Sequence, residues 1–109
     1  MTVVRENNET SIKINQNMQE NYCRPAVDVL FRSAAEVYCQ RAVGVVMTGM
    51  GRDGLKGSQA MKSAGAPIIA QDEQSSVVWG MPRFIVENDL ADSVSSLDNM
   101  FASINNFIL

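Results

Sequence analysis

Apolar residues recur at three- and four-residue spacing from Val27 through Leu30, Phe31, Ala34 and Ala35 to Tyr38, which predicts an amphipathic helix over about residues 26–40. Pro25 suits its first turn. Asp28, Arg32 and Glu36 fall at i, i+4 spacing and read as a solvent-facing charge series that pairs along the helix. The period then changes. Ala42 to Thr48 is nearly continuous in apolar residues, as in a parallel strand covered on both faces. Leu55, Met61 and the alanines of residues 54–65 predict a helix ended by Gly65, and Ala66 to Gln71 a second buried strand. This is one β-α-β unit, whose crossover is expected to be right-handed. Downstream, Gly80 to Glu87 reads as a helix start with Pro82 in its first turn, and Ala91 to Val94 as a third short strand. A last helix opens on Ser96 as its cap, with Leu97, Met100, Phe101, Ile104 and Ile108 on one face. At the other end, Val3 to Arg5 and the alternating, half-buried Ser11 to Asn15 suggest a peripheral hairpin. The organisation expected is therefore a hairpin with connecting loop over residues 1–22 and an α/β unit over residues 23–109.

Composition narrows the function classes. Nine basic against twelve acidic residues give a net charge of −3 with no block of like charge, so no partnership with nucleic acid is expected. The N-terminus is too polar for a signal peptide, and no apolar run approaches the roughly eighteen residues a span requires. No membrane insertion and a cytoplasmic location are expected. Cys39, on an apolar stretch, reads as a buried reduced thiol, while Cys23 beside Arg24 is reactive only if exposed. Neither has metal-ligand spacing and the chain contains no histidine, so no metal site is expected.

The candidate chemistry sits at the first strand-to-helix junction. Gly49-Met50-Gly51-Arg52-Asp53-Gly54 satisfies the G-x-G-x-x-G pattern, with Asp72 about twenty residues further on. Asp53, however, sets a negative charge where a pyrophosphate needs bare amides and a positive dipole. Three readings stay open on these residues alone: a helix cap with turn-forming glycines, a nucleotide loop, and a catalytic carboxylate that orients a histidine. Without a histidine of its own the chain looks like part of a site.

Three motifs in order carry a resemblance: Arg24-Pro25-Ala26-Val27-Asp28-Val29-Leu30-Phe31-Arg32-Ser33-Ala34-Ala35, then Thr48 to Gly54, then Ile69-Ala70-Gln71-Asp72-Glu73-Gln74-Ser75-Ser76-Val77-Val78-Trp79-Gly80-Met81-Pro82-Arg83. They resemble the C-terminal part of the CheB-type chemotaxis methylesterases, from about Cys23 to Met100 and more weakly through the hairpin. The resemblance implies a parallel-sheet, Rossmann-like three-layer α/β domain that uses a Ser-His-Asp triad. Such enzymes hydrolyse methyl esters on chemoreceptor glutamates and deamidate certain glutamines. By the same resemblance Asp53 is the triad acid and the main-chain amide of Met50 an oxyanion donor. Gln71, Asp72 and Glu73 become substrate-side loop candidates, with solvated loop residues or helix caps as the alternative. Trp79, Met81 and Pro82 read as a packing corner beneath the site, with substrate contact as the alternative, and Arg83 either pairs with Asp72 or Glu73 or is a solvated charge at a helix start.

The family's serine and histidine belong to upstream segments that these residues do not include, so the chain alone is expected to be inactive. No cofactor is implied. The partners implied are the methylated cytoplasmic helices of chemoreceptors and a receiver domain in the full-length protein, with self-association expected through a surface the complete domain would cover. The competing reading is a non-catalytic remnant of the same fold that binds receptor or partner. Departures from the family pattern are Cys39 in place of a glycine, Phe84 in place of alanine, and Ser95-Ser96 where proline is common.

Overall fold

The computed structural model describes residues 1–20 and 23–108; Asn21 and Tyr22, the end of the expected connecting loop, lie outside the described residues. Antiparallel strands β1 (Thr2–Glu6) and β2 (Glu9–Lys13) form the hairpin, paired Thr2 with Lys13 through Glu6 with Glu9. Asn7 and Asn8 both have positive φ, 52° and 67°, which asparagine tolerates and a two-residue hairpin turn requires. β1 docks on α1 (Val27–Tyr38), where Ser33 Oγ accepts the Val3 N–H at 2.8 Å. β2 is exposed throughout, Ile12 included, so the half-burial expected from its alternation does not occur: the inner position is taken by β1.

Helix α1 starts two residues after Pro25, because Ala26 is still extended at φ −121°, ψ 146°. It gives way at Cys39, whose φ of 52° turns the chain into a 3-10 turn over Cys39–Arg41 and leaves its side chain exposed. The buried thiol expected there is thus corrected: a turn reverses the direction that helical periodicity would have given it.

Strands β3 (Gly44–Val46), β4 (Ile68–Gln71) and β5 (Ser93–Ser95) form a parallel sheet in the order β3-β4-β5. Helix α2 (Leu55–Ser63) connects β3 to β4, and α3 (Met81–Glu87), with Pro82 in its first turn, precedes β5. Val46, Ile68 and Ala70 pack with Ala35 of α1, Met61 of α2 and Ile85 of α3 in one apolar core. All four β4 residues are buried, as a central parallel strand requires. Gly57 of α2 lies so near α1 that a Cβ there would stand 2.6 Å from Phe31 Cβ and 3.0 Å from Asp28 Cα.

Helix α4 (Met100–Ile108) packs on β4 and β5. Ser96 Oγ accepts the Asn99 N–H at 3.2 Å, closing the turn ahead of the helix, which starts at Met100 and not directly after Ser96 as expected. Its buried stripe differs from the expected one. Met100 is 5% exposed, with Ser103 and Ile104 half-buried, whereas Leu97, Phe101 and Ile108 are exposed. A Ser95 to Ser103 hydroxyl hydrogen bond joins β5 to α4, and Met100, Ser103 and Ile104 share the inner side.

Candidate active site

The β3 exit, the start of α2 and the loop after β4 meet at the C-terminal end of the sheet, where open α/β sheets hold their ligands. Asp53, 8% exposed, ends the glycine-rich turn. Its carboxylate does not cap its own helix. Oδ2 accepts the Val27 N–H at 2.7 Å and Oδ1 the Asp28 N–H at 3.0 Å, so Asp53 caps α1 instead. These are two of the amides a helix start leaves unsatisfied.

Asp28 returns the arrangement. Its side chain is 1% exposed, and its Oδ1 accepts the N–H groups of Gly54 at 3.0 Å and Gly57 at 2.7 Å, capping α2. The solvent-facing role read from i, i+4 spacing is therefore wrong for Asp28. Arg32 likewise pairs elsewhere, in a two-pronged contact with Glu20 at 2.6 Å for both hydrogen bonds. Hydrogen bonding to Glu20 raises the Arg32 pKa, with the charges of Asp28 and Asp53 adding to the effect. The same guanidinium holds the Glu20 carboxyl below its usual range, chiefly by hydrogen bonding.

Reciprocal capping also bears on the nucleotide reading. The Gly54 and Gly57 amides, which a pyrophosphate would need, already serve Asp28. A phosphate there would meet two carboxylates, so the match to G-x-G-x-x-G is one of spelling.

Met50 sits on a turn clamped from the opposite loop. Gly49 N–H donates to Val78 O at 3.0 Å, and Gly49 O accepts the N–H groups of Gly80 at 3.1 Å and Met81 at 2.8 Å. Thr48 Oγ1 both donates to Val78 O, at 3.1 Å, and accepts the Val78 N–H, at 2.9 Å. Gly80 permits this approach: a Cβ there would meet Gly49 O at 2.7 Å and Gly51 N at 3.1 Å. The Met50 side chain is 82% exposed, and its amide has no acceptor among the described residues.

The three loop candidates separate. Gln71 is buried, and its amide is spent inside the protein: Oε1 accepts the Thr48 N–H at 2.7 Å and Nε2 donates to Ser75 O at 2.9 Å. Its role here is to brace the β3 exit against the following loop. Asp72 accepts the Ser75 hydroxyl at 2.5 Å and the Ser75 N–H at 2.9 Å, and these hydrogen bonds, the hydroxyl first, hold its pKa below the usual range. Glu73 alone of the three is exposed. Arg83 pairs with Glu87 at 2.5 Å, one helical turn on, rather than with Asp72 or Glu73. Pro82 is buried, Met81 packs on the core, and Trp79 Nε1 donates to Gln71 O at 3.1 Å, a corner under the Met50 turn. Arg52 stacks on Phe84, 5.6 Å from the ring centroid.

The sequence reading missed Asp28, Thr48 and Ser75. An acid in the first turn of α1, with glycines at 54 and 57, was the available signal for Asp28; the Asp72-x-x-Ser75 spacing was a local signal for Ser75, while Thr48 has none, because its partners come from distant segments.

Comparison with known proteins agrees with this architecture. The chain is 45% identical over 102 residues to a protein-glutamate methylesterase/protein-glutamine glutaminase of Trichodesmium erythraeum, covering 94% of this chain and 29% of that protein. It is 52% identical over 87 residues to the protein of the same description from Maricaulis maris, covering 80% of this chain and 22% of that protein. The crystal structure of the Thermotoga maritima CheB methylesterase catalytic domain superposes with a TM-score of 0.90 at 33% identity, over 98% of this chain and 55% of that chain. The chain thus spans under a third of the length of these two relatives. The CheB methylesterase family model matches residues 1–104, hairpin included, and the chain belongs to that family.

Proposed function

We propose that this chain is the C-terminal part of a protein-glutamate methylesterase catalytic unit and supplies two pieces of its centre. Asp53 is the triad acid and the Met50 main-chain N–H an oxyanion donor; the serine and histidine come from residues outside these 109, which hold no histidine. The carrying observation is the Asp53 carboxylate, nearly buried and fixed by two amide hydrogen bonds at the C-terminal end of the parallel sheet. A group held this way can keep an imidazole in one tautomer and orientation while the histidine takes the serine proton and later returns it to the leaving alcohol. The Met50 amide then meets the negative charge that develops on the carbonyl oxygen of the ester as the serine adds.

The substrates are methyl esters of glutamates on the cytoplasmic helices of chemoreceptors, with glutamine deamidation as the related reaction. In the full-length protein a receiver domain is the partner in regulation, and the location is cytoplasmic. No described helix is long and apolar enough to cross a membrane. Removing nucleophile or base from such a triad costs on the order of 10⁶ in rate, so the chain alone does not turn over. The test is release of methanol from methyl-labelled receptor by the chain alone, by the chain extended upstream through its serine and histidine segments, and by the extended form carrying D53N. Turnover only in the extended form, reduced about 10⁴-fold by D53N, is the expected result. Turnover by the chain alone, or full activity in D53N, refutes the assignment.

A further inference from the structure

We propose that Asp28 is the positioning residue for Asp53, resting on the reading just given, and that α1 thereby takes part in the catalytic geometry without touching substrate. Asp28 grips Asp53 from two sides. Its main-chain N–H donates to Asp53 Oδ1 at 3.0 Å, while its own Oδ1 holds the N–H of Gly54, the residue directly after Asp53, at 3.0 Å. A third bond, from Gly57 N–H at 2.7 Å, fixes the first turn of α2 to the same oxygen. Asp28, itself 1% exposed, therefore fixes the peptide that follows Asp53 and shares with the Val27 N–H the hold on its carboxylate.

The chemistry required of residue 28 is acceptance of two N–H groups. Asparagine keeps a carbonyl oxygen in the same place and alanine does not. A small displacement of a catalytic group lowers the rate strongly, on the order of 10² for about 1 Å.

Two measurements test the proposal. The first is amide hydrogen exchange on the 109-residue chain, with the Val27 amide as reporter because its acceptor is Asp53, not Asp28. D28A is expected to speed exchange at Gly54, Gly57 and also Val27 by at least about tenfold, and D28N to leave Val27 within about threefold of the parent. The second is kcat and KM for methyl-labelled receptor in the polypeptide that joins this chain to its serine and histidine segments. D28A is expected to lower kcat about 10- to 100-fold at unchanged KM, and D28N to restore it to within about threefold. Unchanged Val27 exchange in D28A, or a D28N kcat as low as that of D28A, overturns the proposal. If D28A does not fold, D28S takes its place under the same criteria. D53N distinguishes the two readings: full activity in D53N sinks the triad assignment, whereas Val27 exchange still decides whether Asp28 positions Asp53.

Discussion

Replacing Gly57 by alanine sets two physical effects against each other inside α2. Helix propensity favours alanine by at most about 1 kcal/mol, since Gly57 lies in the first turn of α2. Packing opposes it, because the new Cβ would stand 2.6 Å from Phe31 Cβ, 3.0 Å from Asp28 Cα and 3.2 Å from Asp28 O. Carbon contacts settle near 3.5–4.0 Å, so α1 must retreat by roughly 1 Å, and the two Asp28 atoms are main chain and cannot rotate aside. Overpacking of this kind costs about 1–3 kcal/mol. The retreat also stretches the 2.7 Å bond from Gly57 N–H to Asp28 Oδ1, a hydrogen bond to a charged group worth about 1.5–3 kcal/mol. With the propensity gain subtracted, G57A is expected to destabilise the chain by about 1.5–5 kcal/mol. Urea unfolding at pH 7, followed by far-UV circular dichroism, reads this as a lower midpoint with unchanged slope. K56A, at an exposed neighbouring position, is the control and should change stability little. A G57A midpoint at or above the parent's would refute the reasoning, since it would mean that α1 and α2 are not held together at this point.

Three further outcomes follow from the same geometry. Ser58 Oγ is buried without a hydrogen-bond partner among the described residues, so S58A is expected to raise stability by about 1 kcal/mol in the same assay, and an equal loss would reveal a partner for the hydroxyl. The Glu20 carboxyl is held below its usual range by Arg32, so its contribution is full above the unfolded pKa, near 4.3, and is lost as pH falls through the lower folded value. Both side chains are partly exposed, and E20Q should therefore cost at most about 1 kcal/mol at pH 7, with the difference from the parent shrinking below about pH 4; a difference constant down to pH 3 would contradict this. Finally, β3 has β4 as its one partner among the described strands, and Phe101, Leu97, Val77 and Ile108 are exposed, so the isolated chain is expected to self-associate in sedimentation velocity. A monodisperse monomer at roughly 1 mM would oppose that expectation.

Elements were legible wherever a local rule and the tertiary environment agreed. Continuous apolar runs marked β3 and β4 because a central parallel strand is covered on both faces, and the three-four spacing marked α1 because one side of it meets the core. Pro82 acts within its own helical turn, so it too could be read directly. Family motifs added Asp53 and Met50 as candidates. Spacing alone could not tell that Asp28 faces inward: i, i+4 positions are neighbours on a helix whichever way that side points, and the choice was made by the α2 amides waiting across the interface. Arg32 found Glu20 for the same reason, since the fold brings that carboxylate within reach, whereas Arg83 pairs with Glu87 at i, i+4 on its own helix, a contact that spacing alone allows. Of the apolar stripe expected on α4, Met100 and Ile104 face inward while Leu97, Phe101 and Ile108 do not, a choice that periodicity alone leaves open. The sequence by itself determined which segments are helices and strands and which turn bears the carboxylate, because those depend on backbone propensity and hydrophobic period. Only the tertiary structure decided that Asp53 and Asp28 each cap the other's helix, because an unsatisfied amide can be answered by any acceptor that packing places beside it.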